Sequence, residues 1–213
     1  MITAKYRKKN IILAMHSTND FFGFAFKELD SLQEEFFIKR LEQDLSNNLV
    51  SDLNNFLSQK LNSITRISIS IGPSNFNASR QIVVCARAIS QQMKCSLDNY
   101  SSFQIMAKRI AKQNKILKNQ AFWISKKLKL KGYLAGKYEI INEFKENPEI
   151  IAKELIRPKL FKDFQAKENQ FNVNYDIKND LKELLELSKR NHKNAIFNSW
   201  EHVLPLYPIS PIN

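Results

Sequence analysis

The chain of 213 residues carries four glycines, two cysteines and three histidines, and each shortage excludes something. Average usage near 7% would supply about 15 glycines, and loops that wrap nucleotide phosphates need glycine where backbone amides approach the ligand. Gly23, Gly72, Gly132 and Gly136 are widely scattered, so neither a GxGxxG nor a Walker loop can form. A self-sufficient nucleotide-using enzyme is therefore disfavoured. His16, His192 and His202 are never four residues apart, and no HExxH or CxxC occurs, so the expectation is no metal site and no bound cofactor. Ser74 and Ser79 near Gly72 do not form GxSxG, and no catalytic residue is assigned. Glu34 and Glu35 read as surface carboxylates. Apolar runs such as Ile11 to Met15 and Phe21 to Phe26 fall far below the roughly 20 residues of a membrane helix. Met1 to Asn10 is basic, but the apolar run that follows is too short for a signal-peptide core. The expected location is the cytoplasm, with no membrane contact, where Cys85 and Cys95 stay reduced as buried small side chains.

What the chain does have is a globular composition, 43% hydrophobic and 25% charged, with a net charge of +12. That length and composition suit one or two domains. Lys, Asn and Ile make up about a third of all residues; all three have A/T-rich codons, which weakens any argument from isoelectric point alone. The distribution of charge says more. Residues 1–105 carry +3 and residues 106–213 carry +9. Between Asp98 and Glu139 there is no acid but there are ten cations. Lys108, Lys112 and Lys115 are expected on one helix face, and Lys127, Lys129 and Lys131 on one strand face. Such a field attracts a polyanion, RNA above all. Trp123 and Tyr133 interleave with these lysines and read as core residues.

The order of elements is legible from periodicity. Asn10 to Met15, the polar turn Ser17 to Asp20, and Phe21 to Lys27 form a predicted β-hairpin, with a third strand around Glu35 to Lys39. Leu45, Leu49, Leu53, Phe56, Leu57 and Leu61 recur at helical spacing, predicting a helix near 42–60. Arg66 to Ile71 alternates Ile with Ser as a strand. Gly72-Pro73 ends it, and Asn77 or Ser79 caps a helix running to about Lys94. That helix has two apolar stripes. Ile82, Cys85, Ala86, Ile89 and Met93 can sit on a sheet, while Val83, Val84 and Ala88, flanked by Arg80, Arg87 and Gln91, lie opposite and suit a partner. A strand near Leu97 to Tyr100 follows, then a helix capped by Ser101 or Ser102. Ala121 to Tyr138 reads as a second hairpin, Glu149 to Ile156 as a short helix opened by Pro148, and Asp176 to Lys189 as another helix. The tail from Pro205 to Pro211 is extended.

This order carries a resemblance. Gly72-Pro73-Ser74-Asn75-Phe76-Asn77-Ala78-Ser79-Arg80, between a strand and an apolar helix, resembles the Gly-Pro-Gly-Ser-Phe-Thr-Gly-Leu/Val-Arg signature of the TsaB (YeaZ) family. Gly72, Pro73, Phe76 and Arg80 match, whereas Ser74 and Ala78 replace glycines. Ile11 to Ser17 looks like the family's opening Ile-Leu-Ala-Leu-Asp-Thr strand, with His16 in place of the Asp. Ser101-Ser102-Phe103 resembles its Ser-Thr/Ser-Leu helix start, and Leu204-Pro205-Leu206-Tyr207 its Pro-x-Tyr.

The resemblance implies an α/β, actin/Hsp70-like (ASKHA) fold of two domains, the second reduced: 1–105 carrying the partner-binding helices and a basic 106–213. It implies a non-catalytic dimerisation or scaffold subunit of the bacterial complex that installs threonylcarbamoyl on adenosine 37 of tRNA. Its partners are a TsaD-type catalytic subunit and a TsaE-type ATPase, and homodimerisation and tRNA contact are also expectations. The family's interface maps onto the helices at 42–60 and 77–94, placing Leu49, Leu53 and Phe56 on the first and Arg80, Val83, Val84, Arg87 and Ala88 on the second. Replacing the Asp by His16 removes an acid that actin-like folds place near phosphates and metal, so no ATP hydrolysis is expected. The competing expectation is a stand-alone RNA-binding protein using the 108–137 lysines.

Overall fold

The computed structural model describes residues 10–31, 33–41, 45–142, 150–165 and 169–208. The predicted start of the first helix at 42, Pro148, Glu149 and the tail beyond 208 lie outside the described residues.

The predicted hairpin and third strand are β1 (Ile11–Ser17), β2 (Phe21–Glu28) and β3 (Glu34–Arg40). Then come α1 (Leu45–Leu57), a 3-10 turn over Ser58–Ser63, β4 (Ile64–Ser70), α2 (Phe76–Met93) and β5 (Ser96–Tyr100). These strands form one sheet in the order β3-β2-β1-β4-β5, antiparallel across β3-β2-β1 and parallel across β1-β4-β5. Every residue of β1 is buried, as a central strand covered on both faces requires. Leu13 and Met15 pack with Leu49, Leu53, Ile82 and Ala86 under α1 and α2. Ile12 and Ala14 face the other way, into a layer with Leu181, Leu184 and Leu185 of α4 (Ile177–Lys193).

Between these pieces lie α3 (Ser102–Gln113), β6 (Ala121–Leu128), β7 (Gly132–Asn142), β8 (Ile150–Phe161) and β9 (Gln170–Asn172). The second sheet runs β8-β7-β6-β9. It packs on α3 through Phe103, Met106, Ile110, Phe122, Ile124, Leu134 and Tyr138. The expected boundary at 105/106 falls inside α3, whose Ile105 joins the α4 layer while Met106 joins the second core.

Two expectations are corrected. Of the short helix expected over 149–156, the described residues 150–156 are instead part of β8. Proline is tolerated there because β8 is an edge strand and its register with β7 slips between Ala135 and Lys137, leaving Arg157-Pro158 opposite Gly136 where no ladder donor is needed. The cap of α2 is Asn75, whose side chain accepts from the Ala78 amide at 3.1 Å, rather than Asn77 or Ser79. Ser101 does cap α3.

One buried charge fastens the ends of this architecture together. Asp98 on β5 is 1% exposed. It accepts from Arg66 Nη1 at 2.8 and 2.9 Å, from Ser188 Oγ at 2.6 Å, from Asn191 Nδ2 at 3.0 Å and from Asn198 Nδ2 at 2.6 Å. Arg66 Nη2 in turn donates to the Ile196 carbonyl. A second tie is Lys27, whose Nζ bridges Glu34 at 2.6 Å and Glu186 at 2.7 Å, joining β2 to β3 and α4. Truncating one member of a buried ion pair leaves the other charge uncompensated. Asp98→Ala is expected to lower the unfolding free energy by about 3–5 kcal/mol in urea titration; a loss below about 1 kcal/mol contradicts the central role given to this carboxylate.

Candidate functional site: an apolar groove and the loop beside it

α1 and α2 lie side by side on the first sheet, and the space between their outer flanks is a groove of about 740 Å³. Leu49, Leu53 and Leu57 form its floor, Val50 and Leu61 one rim, and Arg80, Gln81, Val84, Cys85, Ala88 and Ile89 the other. Val84 is 59% and Val50 66% exposed. These are apolar side chains at helical spacing that the chain's own core leaves uncovered.

The structure brings together Leu49, Leu53, Arg80, Val84 and Ala88 of the expected partner residues and places the other three elsewhere. Val83 is 1% exposed, in the core. The buried stripe of α2 is Ala78, Ser79, Ile82, Val83, Ala86 and Ser90. The expected sheet-facing stripe holds: Ile82 and Ala86 are buried in the core, and Cys85, Ile89 and Met93 are half-buried against it. Cys85 and Ile89 also reach the groove wall, a second contact that their place on the inner stripe did not suggest. Phe56 points into the sheet, its ring 5.4 to 6.1 Å from those of Phe24, Phe26 and Phe37. Arg87 lies over the Trp200 ring at 5.4 Å. Val50 and Leu61 were also missed as groove residues, although the Leu spacing of α1 already pointed to this side of the helix.

Next to the groove sits the loop from Ile71 to Asn75. Gly72 has φ +98°, and a Cβ there would lie 3.2 Å from the Leu206 carbonyl oxygen, so this corner requires glycine. The Gly72-Pro73 bond is cis. The loop is fixed by α3 and the tail: Gly72 O accepts from the Ser102 amide, Pro73 O accepts from Ser102 Oγ at 2.6 Å and Tyr175 Oη at 2.8 Å, and the Leu206 amide donates to Ile71 O. Phe76 stacks against Tyr207 at 4.5 Å. Hydroxyls occupy the loop interior, with Ser74 Oγ 2.7 Å from Ser79 Oγ and 3.2 Å from Ser17 Oγ. Gly72, Pro73, Phe76 and Arg80 thus have structural partners here; Arg80 opens the groove and its charge acts on Tyr207.

His16 is fully buried, with both ring nitrogens lacking hydrogen-bond partners. It faces α4, where Nε2 lies 3.6 Å from Asp180 Oδ2, and Asp180 also accepts from Arg109 Nη2 at 2.9 Å. The six expected RNA-contact lysines do not share two regular faces. Lys108 pairs with Glu183 at 3.6 Å. Lys115 lies beyond the α3 cap, at φ 54°. Lys127 lies one residue before the end of β6, while Lys129 and Lys131 flank Leu130 in the β6–β7 turn. Lys112 is exposed on α3. Among the described residues no three His, Cys, Asp or Glu side chains converge as a metal site would require, and no helix is long and apolar enough to cross a membrane.

The two sheets, the α1–α2 pair on one face of the first sheet and the returning C-terminal helix on the other define an actin/Hsp70-like α/β fold of two domains, the second reduced. Its particular form is that of YeaZ. YeaZ from Pseudomonas aeruginosa superposes with a TM-score of 0.63 at 12% identity, covering 93% of this chain and 99% of that one. A protein described as similar to peptidase YeaZ, also from Pseudomonas aeruginosa, matches with TM-score 0.63 at 12% identity over 94% and 100% of the two chains. At that identity the likeness concerns the fold. No family profile matches the chain, and no curated protein matches its sequence.

Two measurements probe this site. Burial pushes the Cys85 thiol up to about 11, so its alkylation by iodoacetamide is expected to rise tenfold per pH unit through pH 8 to 10; a plateau below pH 9 contradicts the burial. His16→Asp sets a second carboxylate against Asp180. It is expected to lower the thermal midpoint by about 5 °C or more at pH 8, and by less at pH 5 where the pair can hold a proton. An unchanged midpoint at pH 8 removes the His16–Asp180 constraint.

Proposed function

We propose that this chain is the non-catalytic dimerisation or scaffold subunit of the bacterial complex that installs threonylcarbamoyl on adenosine 37 of tRNA, acting beside a TsaD-type catalytic subunit and a TsaE-type ATPase. The observation that carries the reading is the α1–α2 groove: an uncovered apolar surface on the two helices to which the TsaB resemblance assigns the interface, on a chain with the YeaZ fold. An amphipathic helix pair from a related subunit would lay its apolar face against Val50, Val84 and Ala88, with Leu49, Leu53 and Leu57 as the floor. The chain contributes surface and orientation; the chemistry belongs to the partner, and the purified protein turns over no ATP. The same groove suits a second copy of this chain, and the partner's affinity decides between homodimer and heterodimer.

Co-purification with the TsaD-type subunit is the direct test. Val84→Asp puts a charge in the middle of the groove and is expected to weaken association at least tenfold. Because Val84 is 59% exposed in the free chain, its thermal midpoint should stay within about 2 °C of the parent's. Undiminished association sinks the interface. Mass spectrometry of adenosine 37 in cells lacking this protein tests the complex itself, and unchanged modification refutes the role.

A further inference from the structure

The second sheet has one face on α3, lined by Phe122, Ile124, Leu134 and Tyr138. Strand alternation sends Trp123, Tyr133 and Lys137 to the other face, where the cross-strand register sets Trp123 opposite Lys137, Lys127 opposite Tyr133, and Tyr133 opposite Phe161. Trp123 and Tyr133 are therefore not core residues of the α3 layer, as their sequence context suggested. Among the described residues the helix packed on this sheet is α3, on the inner face. A solvated sheet face normally alternates to polar side chains. Here it carries rings: Trp123 meets Phe161 edge-on at 5.8 Å, and Phe164 packs against Trp123 at 5.0 Å and Tyr133 at 5.8 Å. All four rings are half-buried, leaving part of each open. Cations are interleaved with them: Lys137 Nζ is 5.7 Å from the Trp123 ring centroid and Lys159 Nζ 5.2 Å from that of Phe161. Glu139, the acid on this face of β7, sits opposite Lys153.

Rings and ammonium groups alternating across a sheet suit one chemistry well. Bases stack on the rings and phosphates meet the lysines, with little dependence on sequence. An acidic peptide would use the charges but leave the rings uncovered. We infer that the outer face of the second sheet, through Trp123, Tyr133 and Phe161 with Lys127, Lys137 and Lys159, binds single-stranded RNA. The choice of RNA over DNA rests on the tRNA-modification reading; the stacking surface rests on the geometry alone.

The test is fluorescence anisotropy of a fluorescein-labelled 12-residue oligouridylate with the intact protein. Binding is expected at low salt, with log Kd against log salt changing by about two units per decade for three neutralised phosphates. Trp123→Ala should weaken it about tenfold or more, while Trp123→Phe, which keeps a ring and guards against a folding defect, should stay within about threefold. Combining Lys137→Gln with Lys159→Gln should lower the salt slope by about one unit. No binding at 100 μM protein in about 50 mM salt, equal binding by Trp123→Ala, or tighter binding of oligodeoxythymidylate, duplex RNA, polyglutamate or phosphatidylserine vesicles overturns the inference. Co-purification of the same variants with the TsaD-type subunit reads the groove separately, so failure of either reading leaves the other standing.

Discussion

The carboxylate of Asp98 is the constraint from which the arrangement of the chain follows. It sits on the edge strand of the first sheet, in a place where an unpaired charge would cost more than the fold can spare. Arg66 on the neighbouring strand supplies the counter-charge, but a buried pair is stable only when its remaining lone pairs are satisfied. Those partners, Ser188, Asn191 and Asn198, come from about 90 to 100 residues further along the chain. The first sheet therefore cannot be completed locally. It needs α4 and the segment after it, so the C-terminal quarter returns to the first sheet after the strands of the second.

That return also sets the groove and its neighbourhood. Once Asn198 is held, with the Leu97 amide donating to its carbonyl, the tail leads on to Ile71, where the Leu206 amide closes the ladder, and to Phe76, which meets Tyr207. The start of α2 is clamped between the first sheet and the tail. A surface on α2 is then presented by a helix whose orientation is fixed at its N-terminus, by Asn75, and along its inner stripe, by Ile82, Val83 and Ala86. Rigid presentation lowers the ordering cost of binding.

The sequence made the local pieces visible and left the distant ones dark. The apolar run of β1, the alternation of β4 and the Leu spacing of α1 are local signals that burial enforces, and each element lies within a few residues of its expected bounds. Where two rules competed, the local one misled. Pro148 and Pro158 suggested a helix start and stop, yet an edge strand with a register slip accommodates Arg157-Pro158. Val83 looked free because it neighbours Val84, yet that single angular step takes the helix from 1% to 59% exposure. The groove was half legible: Val84 and Ala88 were found from their stripe, but Cys85 and Ile89, which do pack against the core, gave no sign that their outer flank also reaches the groove. Asp98 carried no signal at all, since its meaning lies in residues roughly 100 positions away.

The scarcity of glycine takes on a physical sense in the loop after β4. One glycine remains where the backbone turns through φ +98° against the tail. At the two positions where the TsaB signature has further glycines stand Ser74, hydrogen-bonded to Ser17 and Ser79, and Ala78, whose amide is taken by Asn75. Side-chain oxygens thus occupy the polar groups that an open glycine loop would offer to a phosphate. At position 16, where an acid would repel Asp180, an imidazole sits 3.6 Å from it. The loop hydroxyls are thus partnered within the fold, whereas His16 is held by burial and by its approach to Asp180.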